Sequence, residues 1–276
     1  ANHTYHLNSK KSDLEGLQAK LRTLQLTLDL NPGNPFYDVS SGHHGFIAAN
    51  EEYIVIAIRG SGEPDDWRNN FRYWQEAYAA GGNVHAGFAL AARGIVPAIL
   101  AELQRAPMRY AKKAVWLTGH SSGGSVAILV AQELARQQID VAGVYTFGAP
   151  KVGDWDYAHA YPLHDKLFAF ATLGDLVPLL PPPWLRRVDG HVQLQRYRHV
   201  IPPKLLVGKT VSLRSALAHF RNHRAGIVEK IIGALIDFSP HSLVAAYIPN
   251  LKDEMALPQL FPIQPDLQQP PAAKTL

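Results

Sequence analysis

The sequence predicts an α/β protein with a mostly parallel central sheet that is covered by helices on both faces. Helical and strand-like apolar patterns alternate along the chain. One apolar run enters a Gly-x-Ser-x-Gly turn that is followed by a helical stretch of small residues, and two later apolar runs end in glycine turns. Strands that alternate with helices need crossover connections, and such connections make neighbouring strands parallel.

Each element follows from the spacing of its apolar residues and from the turn residues that bound it. In chain order, the predicted elements are a helix over 14–28, a β-hairpin of 45–49 and 53–58, a helix over 87–103 with Pro97 as a kink or boundary, a strand over 114–118, a helix over 124–137, a strand over 141–147, a short helix over 154–161, a strand over 167–172 and a mostly helical region over 213–238. No repeat or linker divides the chain, so a single domain over 1–276 is expected, with an extended or disordered proline-rich tail from about residue 258.

Composition limits the classes of function. The chain has 276 residues, 47% hydrophobic and 18% charged, as in a soluble globular protein. No apolar run approaches the ~18 residues of a membrane span, and secreted and cytoplasmic locations both stay open. The absence of cysteine excludes disulfides, thiolate catalysis and cysteine metal sites. Nine Lys or Arg and one acid, Asp189, lie between residues 186 and 224; this stretch is either a solvated basic face or a contact for phosphates or anionic lipids.

The Gly-x-Ser-x-Gly turn centres on Ser121 and has the layout of a nucleophile elbow, a tight strand-to-helix turn that exposes a serine hydroxyl. The strained serine backbone crowds its neighbours, so Gly119 and Gly123 are required there. The helix N-terminus behind the serine offers amides to a developing oxyanion, beginning with the amide of Ser122. A second donor is expected from the loop after residues 53–58, where Ser61 lies, although a plain Gly/Ser loop is the alternative.

A serine nucleophile needs a base and an orienting acid. Groups that act together in a parallel sheet lie at the C-terminal ends of its strands, and this rule selects Asp175, three residues beyond the strand 167–172. The alternative role for Asp175 is a turn residue that caps local amides. The base is expected after the acid, and the candidates are His191, His199, His219, His223 and His241. Position favours His241, which opens an apolar segment after a loop, with His199 as the alternative.

These residues resemble the class 3 lipases of the α/β-hydrolase fold, which include the fungal triacylglycerol lipases. The resemblance covers roughly residues 45–247, and the segments that carry it are 57–61, 84–88, 118–124, 146–153, 174–178 and 197–200. It implies that Ser121 is the nucleophile, Asp175 the acid and His241 the base. It also places Ser61 and Ser122 at the oxyanion hole, and His199 in a non-catalytic Tyr-x-His-Val segment. Two residues depart from the family pattern: Ser122 stands where leucine is common, and Pro240 where aspartate is common.

The resemblance further implies a serine ester hydrolase that cleaves acyl esters of lipids, without a cofactor or metal. A phospholipase A-type enzyme, an acyltransferase and a catalytically silent lipid-binding fold stay open as alternatives. The expected partners are a lipid or ester substrate and a transient lipid surface, with no nucleic acid and no obligatory protein. The family's lid corresponds to residues 63–80, where an aromatic stripe at helical spacing comprises Trp67, Phe71, Trp74 and Tyr78; an ordinary core helix is the alternative.

Overall fold

The computed structural model describes residues 11–28, 36–37, 42–60, 74–79, 81–105, 113–188, 191–206 and 246–255. The α-helices in these ranges are α1 (Lys11–Thr23), α2 (Ala86–Arg105), α3 (Ser122–Arg136), α4 (Trp155–Ala160) and α5 (Ile248–Met255). Two 3₁₀ helices cover His164–Lys166 and Val177–Leu179. The strands are β1 (Phe36–Tyr37), β2 (His44–Ala49), β3 (Tyr53–Ile58), β4 (Gln75–Ala77), β5 (Asn83–His85), β6 (Ala114–His120), β7 (Val141–Phe147), β8 (Leu167–Thr172), β9 (Trp184–Val188), β10 (His191–Gln195) and β11 (Lys204–Leu206).

The main sheet has seven strands in the order β1-β2-β3-β6-β7-β8-β11. The pairs from β3 through β6, β7 and β8 to β11 are all parallel, whereas β1, β2 and β3 pair antiparallel. The predicted parallel sheet and the predicted hairpin of 45–49 and 53–58 are therefore confirmed. Two small antiparallel sheets, β4-β5 and β9-β10, lie apart from the main sheet.

The core has a cluster on each face of the sheet. Apolar residues of α2 and α3 pack with one face, including Ile95, Leu129 and the sheet residue Ile56. Leu17 and Leu21 of α1 pack with other residues of β2 and β3. Within the described ranges, α2 is the one helix that is long and apolar enough to cross a membrane, judged by length and composition only. Its buried residues between Phe88 and Ile99 belong to the first cluster, as in a core helix of a globular domain.

Two helix predictions need correction. The helix predicted over 14–28 ends at Thr23, because Thr27 instead exchanges two backbone hydrogen bonds with Ala49 of β2. Pro97 lies inside α2 and is not a boundary. The helix predicted over 124–137 begins at Ser122, and that over 154–161 is α4, capped by the Asp154 carboxylate. The helical region predicted over 213–238 and the tail from about 258 lie outside the described residues.

His85 links β5 to α2 and makes stability depend on pH. Its Nδ1 accepts hydrogen bonds from the amides of Gly87 (3.1 Å) and Phe88 (3.4 Å) at the start of the helix. Burial lowers the pKa of His85 to about 4. In the unfolded chain the imidazole takes its proton near pH 6.5. The folded state binds that proton only near pH 4, so the stabilisation is present above about pH 6.5 and is lost as the pH falls from there to about 4.

The variant His85→Asn keeps a side-chain acceptor at the start of the helix but removes the titrating group. We expect the wild-type protein to lose on the order of 2 kcal/mol more unfolding free energy than the variant between about pH 7 and pH 4.5. Urea unfolding at both pH values measures the difference. Other histidines contribute equally to the two proteins, so equal losses would contradict the assignment to His85.

Candidate active site

Ser121 occupies the turn between β6 and α3. Its backbone has φ 57° and ψ −137°, a left-handed φ that non-glycine residues rarely adopt. The Ser121 amide donates to the carbonyl of Phe147 at the end of β7, and its own carbonyl accepts from the amide of Gly124, both at 2.9 Å. The serine is therefore held between two neighbouring strand ends and the first turn of a helix, as the elbow prediction requires.

The two glycines of the motif are needed for close backbone contacts. A Cβ on Gly119 would lie 2.2 Å from the carbonyl oxygen of Gly123. A Cβ on Gly123 would lie 2.6 Å from the backbone of Ile58 and Arg59, at the end of β3. The start of α3 thus packs directly on the backbone that leads to the loop of Ser61. Ser61 itself lies outside the described residues.

The serine hydroxyl is buried. Ser121 is 2% exposed and Ser122 5% exposed. Among the described residues, no group hydrogen-bonds to Ser121 Oγ. Ser122 begins α3, where the first amides have no carbonyl of their own helix to bind. The nucleophile position therefore lies beside backbone donors, in a volume closed to solvent in this conformation.

Asp175 lies three residues after β8, whose C-terminal end is on the same side of the sheet as that of β6, where Ser121 lies. The two ends are close because β6, β7 and β8 are parallel neighbours. Gly174, with φ 90°, makes the turn that precedes it. The carboxylate is 7% exposed. Its Oδ1 accepts from the amide of Val177 at 2.9 Å, and its Oδ2 accepts from the hydroxyl of Tyr247 at 2.5 Å. The first bond is a local turn contact of the kind the alternative role describes, and the second joins Asp175 to a side chain distant in the sequence.

Tyr247 is a functional candidate that the sequence did not indicate. Its hydroxyl donates to Asp175 and accepts from the amide of Thr172 at 3.2 Å. Its fully buried ring contacts His120 and Phe147 edge-on, at centroid distances of 5.8 and 6.2 Å. Burial and the neighbouring carboxylate of Asp175 raise the pKa of Tyr247 far above its usual range, so the hydroxyl stays a proton donor. The residue ties the ends of β6, β7 and β8 together.

The two candidate bases differ in what the structure describes. His241 lies outside the described residues, six positions before the anchored Tyr247. His199 donates from Nε2 to the carbonyl of Pro178 at 2.7 Å. Burial lowers the pKa of His199, and the charge of Lys151 lowers it further. Since no described residue hydrogen-bonds to Ser121 Oγ, His199 is not a partner of the serine. Among the described residues, no group of three or more His, Asp or Glu is arranged to hold a metal ion.

The helix predicted through the aromatic stripe is wrong at its C-terminal part. Trp74 and Tyr78 flank the strand β4, which pairs with β5 across a turn that contains Gly81 and Gly82, both at positive φ. The spacing of four between these aromatic residues fits one face of a helix, but this segment forms a strand because it pairs with β5. Trp74 is 38% exposed, and the Tyr78 ring packs edge-on against Tyr157. The other two candidate lid residues, Trp67 and Phe71, lie outside the described residues.

Known proteins resemble this chain in sequence. The family model Lipase (class 3) matches residues 55–184. The secreted mono- and diacylglycerol lipase 1 of Fusarium solani is 33% identical over 158 residues, which cover 56% of this chain and 44% of that protein. A lipase of Rhizomucor miehei is 30% identical over 140 residues, which cover 48% of this chain and 38% of that protein. The chain spans less than half the length of each of these two relatives.

Solved structures show a related architecture. A nonglycosylated lipase of Yarrowia lipolytica superposes with a TM-score of 0.53 at 22% identity and covers 69% of both chains. The triacylglyceride lipase of Rhizomucor miehei gives a TM-score of 0.52 at 23% identity, with 66% of both chains covered. At these identities the likeness establishes the fold alone, and it confirms the predicted α/β-hydrolase architecture.

Proposed function

We propose that this chain, whose residues 55–184 match the family model Lipase (class 3), hydrolyses acyl esters of lipids through an acyl-serine intermediate. One observation carries the proposal: a serine with strained backbone geometry directly precedes a helix, and it lies at the same end of the parallel strands as a buried carboxylate. Such a turn aims a hydroxyl at the substrate and places helix amides beside it. The relatives' described activity on mono- and diacylglycerols supports glycerol esters as substrates.

We assign the roles by chain order and position. His241 takes the proton of Ser121 Oγ, and the oxygen attacks the ester carbonyl to form a tetrahedral oxyanion. The amides of Ser61 and Ser122 stabilise that oxyanion. The carbon–oxygen bond to the alcohol then breaks, and the alcohol leaves with the proton from His241. Water then attacks the acyl-serine while His241 takes its proton. The acyl–Oγ bond breaks, His241 returns the proton to Ser121 Oγ, and the carboxylic acid is released. Asp175 orients the imidazole and stabilises its protonated form.

Labelling with a fluorophosphonate probe tests the proposed nucleophile. We expect the probe to modify Ser121 and to leave the Ser121→Ala variant unlabelled. Ser122→Ala is the matched control, because the adjacent residue contributes only its backbone amide and the variant should still react. Absence of labelling in the folded wild-type protein would favour a catalytically silent lipid-binding fold.

Product analysis with glycerol present separates hydrolysis from acyl transfer. A parallel assay on phosphatidylcholine tests the phospholipase alternative.

The burial of Ser121 predicts a dependence on the physical state of the substrate. With the serine 2% exposed, a substrate carbonyl reaches it only after a covering group moves. The candidate lid residues Trp67, Phe71 and Trp74 would favour an open state at a lipid surface. We expect the rate on a medium-chain triacylglycerol to rise disproportionately when the substrate exceeds its solubility and forms an emulsion. A smooth hyperbolic dependence through the solubility limit would exclude such a lid.

Tyr247→Phe tests whether the buried tyrosine positions the acid. The change removes a hydrogen bond to a carboxylate, an interaction worth about 1.5–3 kcal/mol. We expect kcat/KM to fall by about tenfold or more. The acidic limb of its pH profile should move to higher pH, because a less stabilised Asp175 carboxylate holds the imidazole's proton more strongly. Tyr145→Phe, which removes a half-buried hydroxyl from β7, is the control. An unshifted pH profile in Tyr247→Phe would contradict this positioning role and leave Tyr247 with a role in packing alone.

A further inference from the structure

A cleft of about 610 Å³ lies outside the proposed ester site, between α4 and the segment 196–203. Its volume is within the range of small-molecule sites. The segment is fixed to the loop before α4, because the Arg198 amide donates to the Gly153 carbonyl at 2.6 Å. Lys151 donates from Nζ to the carbonyl of Leu179 at 2.6 Å, so one wall of the cleft contacts the turn that follows Asp175. The cleft is therefore a built feature beside the proposed site.

Apart from the phenol of Tyr197, every ionisable side chain among the described residues that line this cleft is basic. The lining carries Lys151, Arg196, Arg198, His159, His164 and His199, and no Asp or Glu. In the part of the chain that the structure describes, no carboxylate forms an ion pair with Lys151, Arg196 or Arg198. The nearest capping acid along the chain, Asp154, is committed to Asn83 and to the amide of Tyr157. No described carboxylate therefore lines the cleft or pairs with these three cations, although Asp156 and Asp165 follow the lining residues Trp155 and His164 in the chain.

The side chains of Arg198 and Trp155 form a stacked pair at exposed positions of the cleft. The Arg198 guanidinium stacks over the Trp155 ring at 4.3 Å, although the ring is 60% exposed. This stacking orients the guanidinium and leaves its edge available for hydrogen bonds. Two guanidinium forks and one ammonium match the several oxygens and the double charge of a phosphate group better than the single charge of a carboxylate.

We propose that this basic cleft binds a phosphate group, carried either by a phospholipid headgroup or by a small soluble phosphate. The two sources share the chemistry of a tetrahedral anion. Arg196, Arg198 and Lys151 provide the donors. The site is distinct from the proposed ester chemistry and does not depend on it.

Binding is measured in the full chain with Ser121→Ala, so that ester turnover plays no part in the result. Isothermal titration calorimetry with glycerol phosphate, and with acetate as comparator, tests the soluble source. Flotation with vesicles of phosphatidylcholine alone, and of phosphatidylcholine mixed with phosphatidic acid, tests the headgroup source. The double variant Arg196→Gln/Arg198→Gln removes two cleft charges. The matched control Lys20→Gln/Arg22→Gln removes two exposed charges from α1, which packs with β2 and β3.

We expect glycerol phosphate or the acidic vesicles to bind, with affinity at least about tenfold weaker in the cleft variant and unchanged in the control. Binding to glycerol phosphate identifies a soluble phosphate site, and binding to acidic vesicles alone identifies a headgroup site. Absence of both would overturn the proposal, as would equal weakening in the two double variants or equal affinity for acetate. A protein without ester hydrolase activity would give the same binding results, so the two proposals fail independently.

Discussion

Replacing Ser121 by alanine is expected to lower kcat for ester hydrolysis by about 10⁵–10⁶-fold. The change removes the only oxygen that the proposed mechanism uses to form the acyl intermediate. Alanine fits the strained φ of 57° no worse than serine, because both carry a Cβ. Since Ser121 Oγ has no hydrogen-bond partner among the described residues, little stability should be lost. The remaining activity would come from the oxyanion donors and from substrate binding.

Ser122→Ala provides the comparison for that loss. It alters the neighbouring hydroxyl at the same buried turn but leaves the backbone amide in place. We expect this variant to keep kcat within about tenfold of the wild type, since only the amide is assigned to the oxyanion hole. Initial rates on an emulsified triacylglycerol measure both variants, and thermal unfolding verifies that each is folded. Turnover by folded Ser121→Ala close to the wild-type rate would contradict the proposal that Ser121 is the nucleophile.

Asp175→Asn should give the second largest effect, a loss of about 10⁴-fold in kcat. Asparagine matches the shape of aspartate, and its oxygen still accepts from the Val177 amide. Its NH₂ group, however, meets the Tyr247 hydroxyl, which donates to Oδ2 in the wild type. The uncharged side chain also fails to stabilise an imidazolium. Both the orientation of the base and its electrostatic support are lost in one substitution.

Asp156→Asn is the matched control, because it removes one negative charge from an exposed position of α4. The double variant Asp175→Asn/Tyr247→Phe removes the mismatched hydroxyl and should cost less than the product of the two single losses. Steady-state kinetics on one soluble ester, together with urea unfolding, measures all four proteins. A loss below about tenfold for folded Asp175→Asn would contradict the role of this acid and leave it as a turn cap.

The sequence predicted the centre of the sheet well because buried parallel strands are uniformly apolar and end in turn residues. The ranges of β7 and β8 agree with the predicted strands, and Gly148 and Gly174 mark the turns after them at positive φ. The hairpin of β9 and β10 was missed, since its strands include Arg186, Arg187 and two glutamines. The strand β4 was missed because its flanking aromatics also fit a helical spacing.

The candidate site was predictable where its residues follow strand ends. Ser121 and Asp175 obey that rule, and the structure places them on neighbouring parts of one sheet edge. Tyr247 does not follow it, because it meets Asp175 across 72 positions of the chain from within an apolar segment. The one feature of the sequence that could have indicated Tyr247 is its hydroxyl, a polar group within an otherwise apolar segment. The basic cleft likewise joins residues from two separate segments, and only the fold brings them together.

The tie between Tyr247 and Asp175 also sets when the protein becomes competent during its synthesis. A ribosome delivers the N-terminal elements first, and domains fold as their parts emerge. Ser121 and the strands around it emerge well before Tyr247, whose hydroxyl donates to Asp175. A nascent chain that has not yet passed this tyrosine would therefore lack the hydrogen bond that holds the Asp175 carboxylate. Full hydrolytic capacity would then begin only after residue 247 has been synthesised, when the described strands through β11 have already been made.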